Sequence, residues 1–213
     1  MKKFTLITIF LTIFSSFALI GCKNDNLSNN STQNNSSDIS YNSNTSIVNT
    51  TRLSTNSNNV KKHEEQISTF STKISQDDSD RQNNIKICCD ELNGAIVKSG
   101  ETFSFCDTVG QATEEKGYKK AETFDNKGNT IMGYGGGKCQ VSSTLYNAVL
   151  EAPNLTVVER YPHSKKVYYV PEGKDATVAY GSVDFKFKND NDFNIKITAI
   201  DDGENVTITL FKV

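Results

Sequence analysis

The chain has 213 residues, with 23 Lys and Arg against 25 Asp and Glu, for a formal net charge of −2. That near-balance lacks the basic footprint of a nucleic-acid binder, so no nucleic-acid partner is expected. The sequence contains no P-loop, dinucleotide fingerprint or HExxH motif, so no cofactor and no metal are expected either.

In chain order, Lys2 and Lys3 precede an apolar run from Phe4 to Ile20. These are the n-region and h-region of an export signal. Leu19-Ile20-Gly21-Cys22 follows and resembles the lipobox of bacterial lipoproteins, in which cleavage before Cys22 leaves a lipidated N-terminal cysteine. The competing reading is an uncleaved anchor, since about seventeen apolar residues lie at the lower limit for a membrane span. The Gly21-Cys22 pair favours the lipoprotein. In both readings residues after Cys22 lie on the outer side of the membrane. From 23 to 60 the chain is almost entirely Asn, Ser and Thr. Such a stretch buries too little apolar surface to offset its ordering entropy and is expected to be a disordered tether.

Residues 61–213 are the right size for one domain with one core. A helix is predicted from about Asp80, capped by Ser79 or Asp78, with Ile85, Cys88, Cys89 and Leu92 on one buried face. Asn93-Gly94 ends it. Adjacent Cys88 and Cys89 on an apolar stripe read as core residues rather than a redox pair. Lys98-Ser99-Gly100-Glu101 is a turn into a short strand at Thr102–Phe105. Cys106, at the end of that strand, is either a half-buried thiol or part of a site lining.

The most informative stretch is Gly135-Gly136-Gly137-Lys138-Cys139-Gln140, which opens a second helix predicted to run to Leu150. Glycines permit sharp turns and close approach, and a helix N-terminus favours thiolate. Val141, Leu145, Ala148 and Ala152 form the core face. Cys139, Ser142, Ser143 and Tyr146 form a neighbouring stripe, read as a cleft wall. Strands are predicted at Leu155–Tyr161, Val167–Val170, Thr177–Tyr180, Phe185–Lys188, Asn194–Ile200 and Val206–Val213, the last two as a hairpin. The expectation is a single α+β domain with two main helices followed by a mostly antiparallel sheet. His163 follows the first of those strands, and a Cys and a His able to meet in the fold are the minimal parts of a thiol acyl-transfer site.

Gly135 to Asn147, Glu159 to Ser164, Tyr169 to Gly181 and Asp184 together resemble the VanW domain family, as do Gly100 to Phe105, Val109-Gly110 and Gly117-Tyr118. Cys106 departs from the pattern, which usually has Asn there. The resemblance implies a peptidoglycan L,D-transpeptidase with Cys139 as nucleophile. Cys139 would attack the carbonyl of the third residue of a donor stem, release terminal D-alanine, and pass the acyl group to a stem amine in a 3-3 cross-link.

In that scheme the partners are peptidoglycan stem peptides and, through lipid on Cys22, the membrane whose outer face meets the wall. His163 is the expected base, with Asp175 to orient it and Asp184 in reserve. Gly137 and the backbone N–H groups of Cys139 and Gln140 are candidates for the oxyanion hole. Arg160 is either a bidentate ligand for a stem carboxylate or half of a surface ion pair. Tyr169 and Tyr180 either face substrate or pack. The rival readings are a thiol endopeptidase or carboxypeptidase, a noncatalytic wall-binding module, and, weakest, a zinc site of Cys139, Cys106 and His163.

Overall fold

A computed structural model of the chain describes residues 64–125 and 128–213. The export signal, Cys22 and the tether at 23–60 lie outside the described residues.

The first element is a strand that the apolar pattern did not announce. β1, Glu65–Lys73, pairs antiparallel with β9, Asn205–Lys212. A register shift between Gln66 and Ser68 breaks the alternation at Ile67. The fully buried positions of β1 are Ser68 and Thr72, which are polar. They satisfy their hydroxyls on α3, Lys138–Glu151: Ser68 Oγ donates to the Ala148 carbonyl at 2.8 Å, and Thr72 Oγ1 lies 2.8 Å from Thr144 Oγ1. A buried strand built on hydroxyls reads as a polar loop in sequence, which explains the miss.

β8, Ile195–Asp201, forms the expected hairpin with β9, and β2, Ile96–Val97, completes an antiparallel sheet in the order β1-β9-β8-β2. Ile195, Ile197 and Ala199 on β8 and Val206, Ile208 and Leu210 on β9 point to one buried face, as period-two alternation requires. α1, Ser79–Leu92, and α3 cover that face. Asp78 caps α1 by accepting from the Arg81 N–H at 2.9 Å, and the helix buries Ile85, Cys88, Cys89 and Leu92.

A second sheet has the order β3-β7-β6: Thr102–Ser104, Lys186–Asn189 and Leu155–Glu159. Phe103, Phe185 and Phe187 stack beneath it, with centroids 5.0 and 6.0 Å apart. A short helix, α2 at Phe105–Val109, and a hairpin of β4, Ala121–Phe124, and β5, Thr130–Gly133, were not expected. The predicted strands at 167–170 and 177–180 are irregular chain, apart from a single bridge between Ala179 and Val183. The α+β class holds, but strands precede and interleave the helices instead of following them.

Thr72 also accepts from Gln140 Nε2 at 3.1 Å. Thr72→Val leaves that buried amide short of one partner and is expected to cost about 1–2 kcal/mol, read as a lower denaturation midpoint at unchanged m-value. No shift would mean that β1 docks through its backbone pairing alone.

Candidate active site

Three glycines thread the chain between β5 and α3, and at two of them nothing larger fits. A Cβ on Gly136 would meet Ala121 Cβ at 2.7 Å and the Glu122 carbonyl at 2.8 Å. Gly137, with φ +102°, would meet Ile85 Cγ1 at 2.9 Å. Buried Asn84 on α1 holds this passage, donating from Nδ2 to the Gly136 carbonyl at 3.0 Å and the Lys119 carbonyl at 2.8 Å. The passage sets Cys139 in the first turn of α3, half-buried, with its backbone N–H lacking a backbone partner among the described residues.

Residues 174–178 run across α3 without belonging to a sheet, and α3 supplies many of their hydrogen bonds, while the Thr177 N–H donates to the Tyr161 carbonyl at 2.8 Å and the Asp175 carbonyl accepts from Arg160 Nε. Asn147 Nδ2 donates to the Lys174 carbonyl at 2.7 Å, Ser142 Oγ donates to the Ala176 carbonyl, and the Ala176 N–H donates to Ser143 Oγ at 2.9 Å. The Val178 N–H lies 3.5 Å from Cys139 Sγ, as does the Val178 carbonyl. Ser142 and Ser143 are therefore fully buried beneath this segment and do not form a cleft wall. Tyr146, half-buried, packs edge-on to Phe185 with the Arg160 guanidinium over its ring.

The segment delivers Asp175 to His163. Asp175 Oδ2 accepts from both the His163 backbone N–H and ring Nδ1, each at 2.6 Å. A carboxylate acceptor puts the proton on Nδ1 and leaves Nε2 to face Cys139 and the Tyr169 hydroxyl, the latter at 3.4 Å. Burial pulls the His163 pKa down, but the hydrogen bond and charge of Cys139, then those of Asp175, overcome it and hold the ring above its ordinary value. Burial likewise pushes Asp175 up, and the hydrogen bonds from the His163 backbone and ring outweigh it, holding the carboxyl below the usual range.

Other expected site residues lie elsewhere or do other work. Arg160 is not a surface ion pair: its Nη2 donates to Asp175 Oδ1 at 2.8 Å inside the site. Asp184 does not approach His163; it accepts from the Cys106 and Phe185 N–H groups and from Ser104 Oγ, anchoring the start of α2. The Gln140 N–H is spent on the Gly137 carbonyl at 3.1 Å, which removes it as an oxyanion donor. Tyr180 is exposed and lines the cavity of His163. Cys106 lines that cavity too, its thiol pushed up to about 12 by burial and then by Asp184.

Cys139 stands at the junction of two cavities. One, about 490 Å³, holds His163, Tyr180 and Cys106; the other, about 690 Å³, holds Arg81, Tyr168 and Tyr169. Thr123, Phe124 and Gly135 border both. Arg81 and Tyr168 went unnoticed in sequence because an arginine in a helix's first turn and a tyrosine in an aperiodic stretch look like ordinary surface.

The fold and site define an α+β domain with a linked Cys-His-Asp arrangement. Residues 80–211 match the family described as VanW like protein, and the chain belongs to that family. It is 42% identical over 147 residues to the "Uncharacterized protein YoaR" of Bacillus subtilis (strain 168), covering 69% of this chain and 48% of that protein. It is 37% identical over 133 residues to the "Vancomycin B-type resistance protein VanW" of Enterococcus faecalis (strain ATCC 700802 / V583), covering 60% of this chain and 48% of that one. The chain thus spans about half the length of the curated relatives it matches. No solved structure matches it.

Gly137→Ala is expected to cost about 2 kcal/mol, since it adds a clash to a positive φ. It should also slow alkylation of Cys139; a variant with wild-type melting would show that the passage has slack.

The charged pair makes a pH prediction. His163 is raised, so its contribution to stability is complete below an unfolded pKa of about 6.5 and is lost as pH rises through the folded value. Asp175 is lowered, so its contribution is complete above about 3.9 and is lost as pH falls through the folded value. The melting-temperature advantage of wild type over His163→Ala should peak between about pH 4 and 6.5. A pH-independent difference would mean that the pair is uncharged.

Proposed function

We propose that this protein is a peptidoglycan L,D-transpeptidase acting through a thioester on Cys139. The observation that carries the reading is the junction of two cavities at one thiol backed by His163 and Asp175. Two spaces meeting at the thiol give room for the acyl half of a donor on one side and, on the other, for the amine that leaves and the larger acceptor that replaces it. Kinship with a vancomycin resistance protein supports a wall substrate.

In the reaction, the Cys139 sulfur attacks the carbonyl of the third stem residue, and its proton passes to His163 Nε2. The Cys139 N–H faces the oxygen that becomes negative. Collapse breaks the amide bond, and His163 returns the proton to the departing D-alanine nitrogen. The side-chain amine of a second stem then attacks the thioester, gives its proton to His163, and releases the thiolate, which recovers that proton. Asp175 holds the ring throughout and stabilises its charged form. Arg160 occupies the second oxygen of Asp175, so the carboxylate keeps one orientation. The lipid on Cys22 and the tether at 23–60 would hold this domain on the outer membrane face within reach of the wall.

The test is intact-mass spectrometry of the protein with a defined tetrapeptide stem. Expected are loss of alanine, a thioester adduct on wild type, and none on Cys139→Ala. His163→Ala should slow adduct formation by about 10²–10⁴-fold, and Asp175→Ala by less. Adding a second stem should give a cross-linked dimer; tripeptide alone would make the enzyme a carboxypeptidase. No adduct on a wild-type protein whose Cys139 alkylates normally would remove the acyl-transfer reading.

A further inference from the structure

In the larger of the two cavities that meet at Cys139 lies an arginine that makes no ion pair among the described residues. Arg81 Nη2 donates to Gln140 Oε1 at 2.8 Å. Its Nη1 is buried and has no partner among the described residues, and Arg81 makes no ion pair there. A buried guanidinium nitrogen left unpaired is costly, and such a group calls for a partner: a water, an ion or a ligand. The head is also held in place. Gln140, which grips it, is itself fixed by Nε2 bonds to Thr72 Oγ1 and to the Lys73 carbonyl at 3.0 Å. The Tyr168 ring lies over the guanidinium with its centroid 5.7 Å away and packs edge-on against Tyr169, and the residue is 64% exposed.

We propose that Arg81 is the carboxylate anchor for the acyl half of the donor, seating it in the larger cavity. This rests on the transpeptidase reading, and the proton bookkeeping supplies the direction. The leaving amine takes a proton from His163, and the attacking amine gives one to it, so both must stand on the His163 side of the sulfur. The acyl chain that stays on Cys139 therefore lies in the other cavity, where Arg81 is. An acidic stem peptide brings carboxylates on that retained chain, and a guanidinium binds a carboxylate bidentately. Lys120 and Lys166 share the cavity, but Asp77, Asp78, Asp80 and Glu122 do too. The mixed rim excludes a broad positive field and leaves one directed contact.

Two measurements separate this anchor from the reaction it serves. The first compares alkylation of Cys139 by iodoacetate and by iodoacetamide. Wild type should favour the anionic reagent relative to Arg81→Gln by about 10-fold, while Arg81→Lys, which keeps the charge, should stay near wild type. The second compares acylation by an acidic stem and by the same stem with its carboxylates amidated. Wild type should prefer the acidic stem, Arg81→Gln should treat both alike, and Arg81→Lys should fall between because it lacks the fork. An unchanged reagent ratio in a folded Arg81→Gln overturns the anchor. If that variant does not fold, Arg81→Lys with wild-type stem preference overturns it instead. A reagent ratio that collapses while no stem acylates wild type leaves the anion site standing and removes the transpeptidase reading.

Discussion

The site depends on a ladder of hydrogen bonds between α3 and residues 174–178, a stretch of chain with no strand to pair with. Buried backbone groups must find partners, and here the side chains of Ser142, Ser143 and Asn147 provide them at helical spacing. Each bond contributes about 1 kcal/mol net, but an unmade one would leave a buried carbonyl or N–H at a larger cost. Cys139 is the last rung, with sulfur where the other rungs have oxygen or nitrogen, and the Val178 N–H points at it. The same ladder that satisfies the backbone thus places the thiol, and it sets Asp175 one residue from a rung. Geometry at the Cys139 thiol and at the His163 ring is fixed by one set of contacts.

A second constraint acts on charge. Arg160, Asp175 and His163 form a chain in which each member has a fixed partner: Nη2 on Oδ1, and Oδ2 on the His163 backbone and ring. Accepting both from the backbone and from the ring of the same residue defines the ring plane as well as its tautomer. Breaking such a buried chain at its centre leaves Arg160, and His163 whenever its ring is protonated, without compensation, so Asp175 is held by folding as much as by any chemistry. Tyr169 closes the other end, its hydroxyl at Nε2 and its pKa raised by burial and by the charge of Cys139, which keeps it a neutral donor beside the thiol.

What was legible in the sequence follows from which features are local. Cys139 after three glycines, the caps and apolar faces of α1 and α3, and the alternating β8–β9 hairpin all declare themselves within a dozen residues. His163 and Asp175 were legible by residue type, although their meeting depends on the fold. The stripe containing Ser142 and Ser143 was seen and misread: a polar stripe on a helix says that polar partners face it, not that solvent does. β1 escaped because hydroxyls and a bulge replace its apolar alternation. The β4–β5 hairpin escaped because Phe124, Ile131 and Met132 remain exposed and bury no clean face. Arg81 escaped because what distinguishes it, a buried Nη1 with no partner among the described residues, appears only once its neighbours are in place.

The family match starts at residue 80, inside α1, and so begins after β1. Physically that boundary cuts through one unit. β1 pairs with β9 along its whole length, from Glu65 opposite Lys212 to Lys73 opposite Asn205. It also supplies both acceptors for the Gln140 amide, and Gln140 in turn holds Arg81 beside the thiol. A strand outside the family match therefore reaches, through the hydrogen-bonded Gln140 and Arg81 side chains, the cavity that Cys139 borders. The structural domain is wider than the span of the family match, and its additional strand is tied to the half of the site that faces the larger cavity.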